Sequence, residues 1–335
     1  MNHDPIVDAA IAAVAAACQV TRRVQGSLGG LRGITKDDKS PVTVADFAAQ
    51  AVVGHLLAGR LQDLALPFLL VGEESSALLR EPGQRTILDA VVGAVQPVWP
   101  GAGVDDVLSA IDRGNHDASG RGYWTLDPVD GTKGFLRGGQ YAVSLARIED
   151  GEVVLGVMGC PNLGADFGRS FDDPDPTGLL FFARRGGGAF CVPADRPGAP
   201  PRRVASDPGV AHAIRVCELV ESGHTDHDAI DRIVERLGGA GTPARLDSQA
   251  KYAVVARGQS DAYIRIPGRP GYVEKIWDHA AGMRVAIEAG ARVSDIRGRP
   301  LDFSRGMGLA SNHGIVCAGA GFHDRIIEAI RGLAL

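Results

Sequence analysis

At 335 residues, 45% of them hydrophobic and with a formal net charge of −5, the chain has material for one large domain or two medium ones around a sizeable core. The charge excludes a general attraction to nucleic-acid polymers, so any basic site has to be local. Five cysteines, at positions 18, 160, 191, 217 and 317, are odd in number and show no CxxC or metal-type spacing, which fits a reduced, cytoplasmic compartment better than a disulfide framework.

The first residues, Met-Asn-His-Asp-Pro, lack the basic region of a secretory signal. The alanine-rich stretch 9–18 is too short to span a bilayer, so no membrane association is expected, and Ile6 to Val24 reads as a packed helix. Gly26, Gly29, Gly30 and Gly33 loosen the chain after it, and Lys36 to Ser40 is a charged loop. From Thr43 to about Gly59, apolar residues recur at helical spacing. Phe68 to Val71 is a short buried strand ending at Gly72-Glu73-Glu74, and residues 77–120 hold one or two helices and a surface loop.

Tyr123 to Asp127 is a strand, and 140–149 pairs with 152–159 across Asp150-Gly151, a dipeptide suited to a type I′ turn. A polar loop fills 162–178, and Leu179–Ala183 and Ala189–Val192 continue an antiparallel sheet. The proline-rich stretch 193–201 is the candidate boundary, giving an N-terminal α+β unit over 1–200 and a C-terminal α/β unit over 201–335. The second unit alternates strands (Ile214–Leu219, Ala262–Ile266, Ile315–Ala318) with helices (Asp228–Leu237, Ser248–Arg257, Asp278–Glu288, His323–Leu333).

Acids stand at the ends of four of these elements: Asp46, Glu73-Glu74, Asp127 with Asp130, and Asp278. Each has a plain reading. Asp46 lies three residues after Thr43, a capping-box spacing; Glu73-Glu74 suits a solvated strand end; Asp278 suits a helix N-cap; and Asp-Gly is a common turn. Chemistry joins them. Carboxylates at close quarters repel, and a divalent cation removes that cost. Mg²⁺ takes a few carboxylates, backbone carbonyls, waters and phosphate oxygens. Val129 between Asp127 and Asp130 offers a carbonyl, Gly131 permits a tight turn, and Thr132 is placed to cap the next helix, whose amides could receive a phosphate.

Gly-Glu-Glu-Ser (72–75), Asp-Pro-Val-Asp-Gly-Thr (127–132) and Trp-Asp-His-Ala-Ala-Gly (277–282) match, in order, three motifs of the magnesium-dependent, lithium-sensitive phosphatases that include inositol monophosphatases and fructose-1,6-bisphosphatases. Within that superfamily the chain most resembles the 3′(2′),5′-bisphosphate nucleotidases. The residues carrying this are 38–50, Asp-Gly-Thr-Lys-Gly-Phe-Leu-Arg-Gly (130–138), Gly-Cys-Pro-Asn-Leu (159–163), Leu-Asp-Ser-Gln-Ala-Lys-Tyr (246–252) and Glu-Lys-Ile-Trp-Asp-His-Ala-Ala-Gly (274–282). The resemblance implies a layered αβαβα sugar-phosphatase fold, with an antiparallel N-terminal sheet and a mixed C-terminal one. It implies Glu73, Asp127, Asp130 and Asp278, with the Val129 carbonyl, as ligands of two or three Mg²⁺ ions, and Asp46 and Thr132 as the residues that orient and deprotonate the attacking water. Glu74 falls beside a ligand position.

The implied substrate is a small nucleotide, adenosine 3′,5′-bisphosphate, bound by Gly131, Thr132, His224, Ser248, Lys251 and Arg265 and cleaved to AMP and phosphate; its 5′-phosphosulfate analogue is a further substrate to consider. A bisphosphate needs a second anion site away from the metals, and Arg suits a bidentate phosphate grip. Read alone, Arg265 is an outward-facing strand residue and Lys251 a solvated helix position. The rival substrate is an inositol or other sugar phosphate, and the sequence leaves monomer and homo-oligomer open.

Overall fold

The computed structural model describes residues 4–27, 34–35, 41–42, 44–208, 212–220, 225–239, 243–268 and 271–333. The charged loop at 36–40, the capping reading of Thr43 and the candidate nucleotide ligand His224 lie outside them.

A proline at the first helical position, with an aspartate before it, sets the start of α1 (Pro5–Ser27). The Asp4 Oδ1 accepts from the Ile6 N–H at 3.0 Å, satisfying one of the donors a helix start leaves open. At 23 residues α1 is longer than the alanine-rich segment suggested, and by length and composition it could cross a membrane. Here it packs, burying Ala10, Ala13, Val14 and Ala17. The short strands β1 (Ile34–Thr35) and β2 (Pro41–Val42) pair antiparallel before α2 (Val44–Asp63). Then come β3 (Leu70–Gly72), α3 (Arg85–Val95) and α4 (Val104–Asp112). The two helices of the 77–120 region are not merely superficial, since Val91, Val95, Val107 and Ile111 are fully buried against the α2 side.

Strand β4 (Gly122–Asp130) runs past Pro128, three residues beyond its expected end. The short helix α5 (Thr132–Leu136) follows, then β5 (Ala142–Glu149), β6 (Glu152–Cys160), β7 (Leu179–Arg184), β8 (Gly188–Pro193) and β9 (Arg202–Val204). Asp150 and Gly151 both take positive φ, 50° and 78°, as a type I′ hairpin between β5 and β6 requires. Among the described residues, β3 to β9 form a seven-stranded sheet in sequence order, antiparallel except where β3 runs parallel to β4. Strand β9 belongs to this sheet, so the first unit's sheet extends past residue 200.

The remaining elements are β10 (Val216–Glu218), α6 (His227–Arg236), β11 (Ala244–Arg245), α7 (Ala250–Ala256), β12 (Ala262–Arg265), α8 (Ala280–Glu288), β13 (Ala291–Ser294), β14 (Ile315–Gly319) and α9 (Ala320–Gly332). They include a mixed sheet ordered β11-β10-β12-β14-β13, with β10 parallel to both neighbours and β14 antiparallel to both of its own. Strands β9, β11 and β13 were not legible in the sequence.

Alternation along the first sheet explains the layering. Val143 and Leu145 of β5 join a cluster with α1 and α2, whereas Ala142, Ala146 and Ile148 join one with α7 and α8. That second cluster also takes in Cys217, Tyr263 and Cys317 of the mixed sheet, whose far face is covered by α6 and α9. The order is helix, sheet, helix, sheet, helix, the αβαβα arrangement expected. In the middle layer α7 and α8 approach closely: a Cβ on Gly282 would lie 2.3 Å from the Tyr252 ring. That ring is 1% exposed and cannot move aside. Gly282→Ala gains about 1 kcal/mol of helix propensity but overpacks this contact, at a cost of about 1–3 kcal/mol or more. A net loss of stability is expected in urea denaturation, and a stabilised variant would contradict this packing.

Candidate active site

The parallel pair β3 and β4 brings two acidic strand ends together. Gly72 lies opposite Leu126, and the Glu73 N–H donates to the Leu126 carbonyl at 3.3 Å, so Glu73 emerges beside Asp127. The next residue, Glu74, is buried, and the turn is fixed from behind by Gln50 of α2. The Gln50 amide accepts from the Glu74 N–H at 3.0 Å and donates to the Glu74 and Ile111 carbonyls at 2.6 and 2.9 Å. Gln50 closes the 38–50 segment that carries the resemblance, but its role as a brace was not legible there; it is fully buried in a helix.

Between Asp127 and Asp130 the pairing with β5 slips: Asp127 faces Ser144 and Asp130 faces Ala142, so three steps on β4 match two on β5. Pro128 has no N–H to lose at such a bulge, and the Val129 N–H is taken by the Asp127 Oδ1 at 3.1 Å. Gly131 then takes φ +84° and forms the N-cap of α5. A Cβ there would lie 2.9 Å from the Ser248 Cβ, so the approach of the C-terminal unit also demands glycine. Thr132 is therefore the first helical residue and not the cap expected. Its hydroxyl donates to the Val129 carbonyl at 3.2 Å. Asp278 closes a short 3₁₀ turn (Ile276–Asp278) and is likewise not the cap of α8; that position belongs to His279, which makes no side-chain cap bond.

Glu73, Glu74, Asp127, Val129, Asp130, Gly131, Thr132, Ser248, Lys251, Arg265 and Asp278 all line one cleft between the two sheets, of about 220 Å³. Asp46, in the first turn of α2, is 2% exposed and is not among the residues that line the cleft, but lies near enough for its charge to act on Asp127. Burial and then the charges of Glu73, Asp130, Asp278 and Asp46 hold the Asp127 carboxyl well above the usual range. Burial, Asp130, Glu73 and Glu274 do the same to Asp278. Burial carries Asp130 up to about 6, although Lys251 and the Gln249 N–H favour its anion.

The basic side of the cleft is more deeply set than expected. Lys251 is 1% exposed, not solvated; its Nζ donates to the Leu246 and Ser248 carbonyls at 3.2 and 2.5 Å and lies 5.2 Å from the centre of the Tyr263 ring. Burial lowers its pKa to about 8, against the pull of Asp130 and Asp247. Arg265 has its Nε 2.8 Å from the Glu274 Oε1, an ion pair whose angle is too poor for a hydrogen bond. Burial opposes the Arg265 cation, but Glu274 together with Tyr263, Tyr272 and Asp278 more than restores it. Glu274 also lies 3.2 Å from the Nε2 of buried His279, whose Nδ1 is 2.9 Å from the Tyr252 hydroxyl. Glu274, Asp278 and His279 offer ligand atoms within 4.8 Å of one another. With both His279 nitrogens engaged, the donors left around the cleft are oxygens, which suits a hard cation. Gln249, Glu274 and His279 stand inside the 246–252 and 274–282 motifs but carry no signal of their own in the sequence.

A family pattern described as the inositol monophosphatase family matches residues 2–333. The chain belongs to the inositol monophosphatase family. It is 39% identical to a 3′(2′),5′-bisphosphate nucleotidase of Schizosaccharomyces pombe, over 98% of this chain and 96% of that one. A Candida albicans protein named 3′(2′),5′-bisphosphate nucleotidase 2 is also 39% identical, over 89% and 87%. Among solved structures, the extragenic suppressor protein suhB of Bartonella henselae shares the fold, with a TM-score of 0.62, 20% identity and coverage of 98% and 99%.

The raised carboxyls give the site a pH dependence. Without a cation, the folded chain keeps protons that an unfolded carboxylate loses above its ordinary 3.8, so the contribution of Asp130 to stability falls as pH rises from about 4 through about 6. A divalent cation has to displace such protons. Its binding should tighten about tenfold per pH unit for each proton displaced between pH 5 and 6. Calorimetric titration in two buffers of different ionisation enthalpy should detect the released protons. Equal affinity at pH 5 and 7 would contradict the assignment.

Proposed function

We propose that this chain is a Mg²⁺-dependent phosphatase that removes the 3′-phosphate of adenosine 3′,5′-bisphosphate, giving AMP and phosphate. The carrying observation is the meeting, in one cleft, of an oxygen-rich acidic wall from residues 73–132 and Asp278 with the cations Lys251 and Arg265. Near-full-length identity to proteins named as bisphosphate nucleotidases supports the substrate. Glu73, Asp127, Asp130, Asp278 and the Val129 carbonyl are proposed to hold two or three Mg²⁺ ions, which when bound would supply Lewis-acid charge neutralisation at the phosphate.

The chain's own groups do the rest. The Thr132 hydroxyl proton is directed at the Val129 carbonyl, which leaves its oxygen to accept from a water in the cleft. Asp46 is proposed as the acceptor of that water's proton, a role its burial and its nearness to Asp127 support. The water oxygen bonds to phosphorus, the bond from phosphorus to the 3′-oxygen breaks, and that oxygen takes a proton from a second water to leave as the 3′-hydroxyl of AMP, while the proton held by Asp46 returns to solvent. Gly131, Ser248, Lys251 and Arg265, with His224, are proposed to seat the nucleotide and its 5′-phosphate. The five free, buried cysteines support a cytoplasmic setting for this activity.

Phosphate release should be compared for adenosine 3′,5′-bisphosphate, its phosphosulfate analogue, the 2′-phosphate isomer and inositol 1-phosphate, with and without Mg²⁺. A higher kcat/KM on the inositol ester would overturn the substrate proposed. Asp46→Asn should lower kcat by about a hundredfold or more while changing KM little, and an unchanged kcat would remove Asp46 from the reaction. Lithium is expected to inhibit turnover.

A further inference from the structure

Gln249 has no part in the reading above, yet it touches both ends of the acidic wall. It directly precedes α7 and is 2% exposed. Ser248 before it takes φ +70°, and the Gln249 N–H donates to the Asp130 carboxylate. The side chain reaches the opposite way. Its Nε2 donates to the Trp277 carbonyl at 2.8 Å and its Oε1 accepts from the Gly282 N–H at 2.8 Å. A carbonyl only accepts and a backbone N–H only donates, so the amide has one orientation.

Those two points flank Asp278. Gly282 is the third residue of α8, one of the helix-start donors with no partner inside the helix, and the cap residue His279 does not supply one from its side chain. Gln249 caps α8 from outside and grips the peptide just before Asp278. One residue thereby ties Asp130, on the first sheet, to Asp278, beyond the second unit's α7.

We propose that Gln249 is a positioning residue that sets the spacing of Asp130 and Asp278 and so the affinity of the site for a divalent cation. The inference rests on the reading of those two acids as cation ligands. If Gln249 only packed, its loss would lower stability and leave cation binding alone.

The side chain can be tested by itself, because every substitution here keeps the backbone N–H that serves Asp130. In Gln249→Met the amide is removed at near-constant length; in Gln249→Asn it is kept but falls one methylene short of bridging Trp277 and Gly282. Mn²⁺ titrated calorimetrically into the substrate-free protein should bind about 10- to 100-fold more weakly to both variants, the range for lost partners of metal ligands. Circular dichroism without the cation checks that each is folded. Wild type that binds no Mn²⁺ would overturn the ligand reading itself. Wild-type binding with unchanged affinity in folded variants would overturn only the role of Gln249. Should neither variant fold, wild-type hydrogen exchange decides: the Gly282 amide should exchange more slowly once Mn²⁺ is added, and an unchanged rate overturns the proposal.

Discussion

Like charge held at close quarters in a partly dry cleft is the constraint around which this molecule is arranged. Burial raises the pKa of Asp127, Asp130 and Asp278, and neighbouring anions add to it: Glu73 acts on all three, Asp130 on Asp127 and Asp278, and Asp278 on Asp127. For Asp130 alone, the move from 3.8 to about 6 corresponds to work on the order of 3 kcal/mol against ionisation. A fold gains nothing from such a cluster by itself. It is retained where a ligand cancels the charge, and the oxygen-rich character of the wall selects which kind of ligand can do so.

The surroundings resist that repulsion by fixing backbone, not by pairing every acid with a cation. Gln50 holds the Glu74 peptide, the Asp127 carboxylate is bonded by the Val129 N–H, and Gln249 joins Asp130 to the segment around Asp278. Arg137 meets Asp247 at 2.6 Å across the same seam. Neutral hydrogen bonds order the acids without pairing them to a cationic side chain, so their oxygens stay open to a cation that displaces the protons they hold. Lys251 shows the complementary compromise. Burial weakens its proton affinity, Asp130 restores part of it, and two carbonyls orient the ammonium.

The parts of this arrangement legible in the sequence are those whose chemistry is local. Gly131 announces a turn, Asp150-Gly151 a hairpin, and the long apolar periodicity α1 and α2. Signals failed where a tertiary contact decides. The strand from Tyr123 reads as ending at Asp127, but a bulge absorbs Pro128 and β4 continues to Asp130. Thr132 and Asp278 read as caps, yet a left-handed glycine and an imidazole occupy those positions. Strands β9, β11 and β13 span two to four residues and are too short to show alternation. Lys251 reads as solvent-facing because a seven-residue helix has too little pattern to reveal that every residue of α7 is buried between two sheets. The acids were found through shared chemistry; Gln50, Gln249 and Glu274 were not, since a buried amide or a paired carboxylate has no signature until its partners are placed.

Where Asp278 sits has a consequence for the whole molecule. The turn that carries it packs directly on β4 and β5, and the packing of α7 on α8 through Gly282 and Tyr252 holds the start of the helix that follows. The core that joins the two sheets and the geometry of the acids are thus the same set of contacts. A side chain such as Tyr252 contributes apolar burial to the central layer, contacts Gly282 at the start of α8, and lies 2.9 Å from His279, which neighbours Asp278. The stability of the core and the placement of Asp278 relative to the acids of the first sheet therefore draw on shared residues of the middle helical layer.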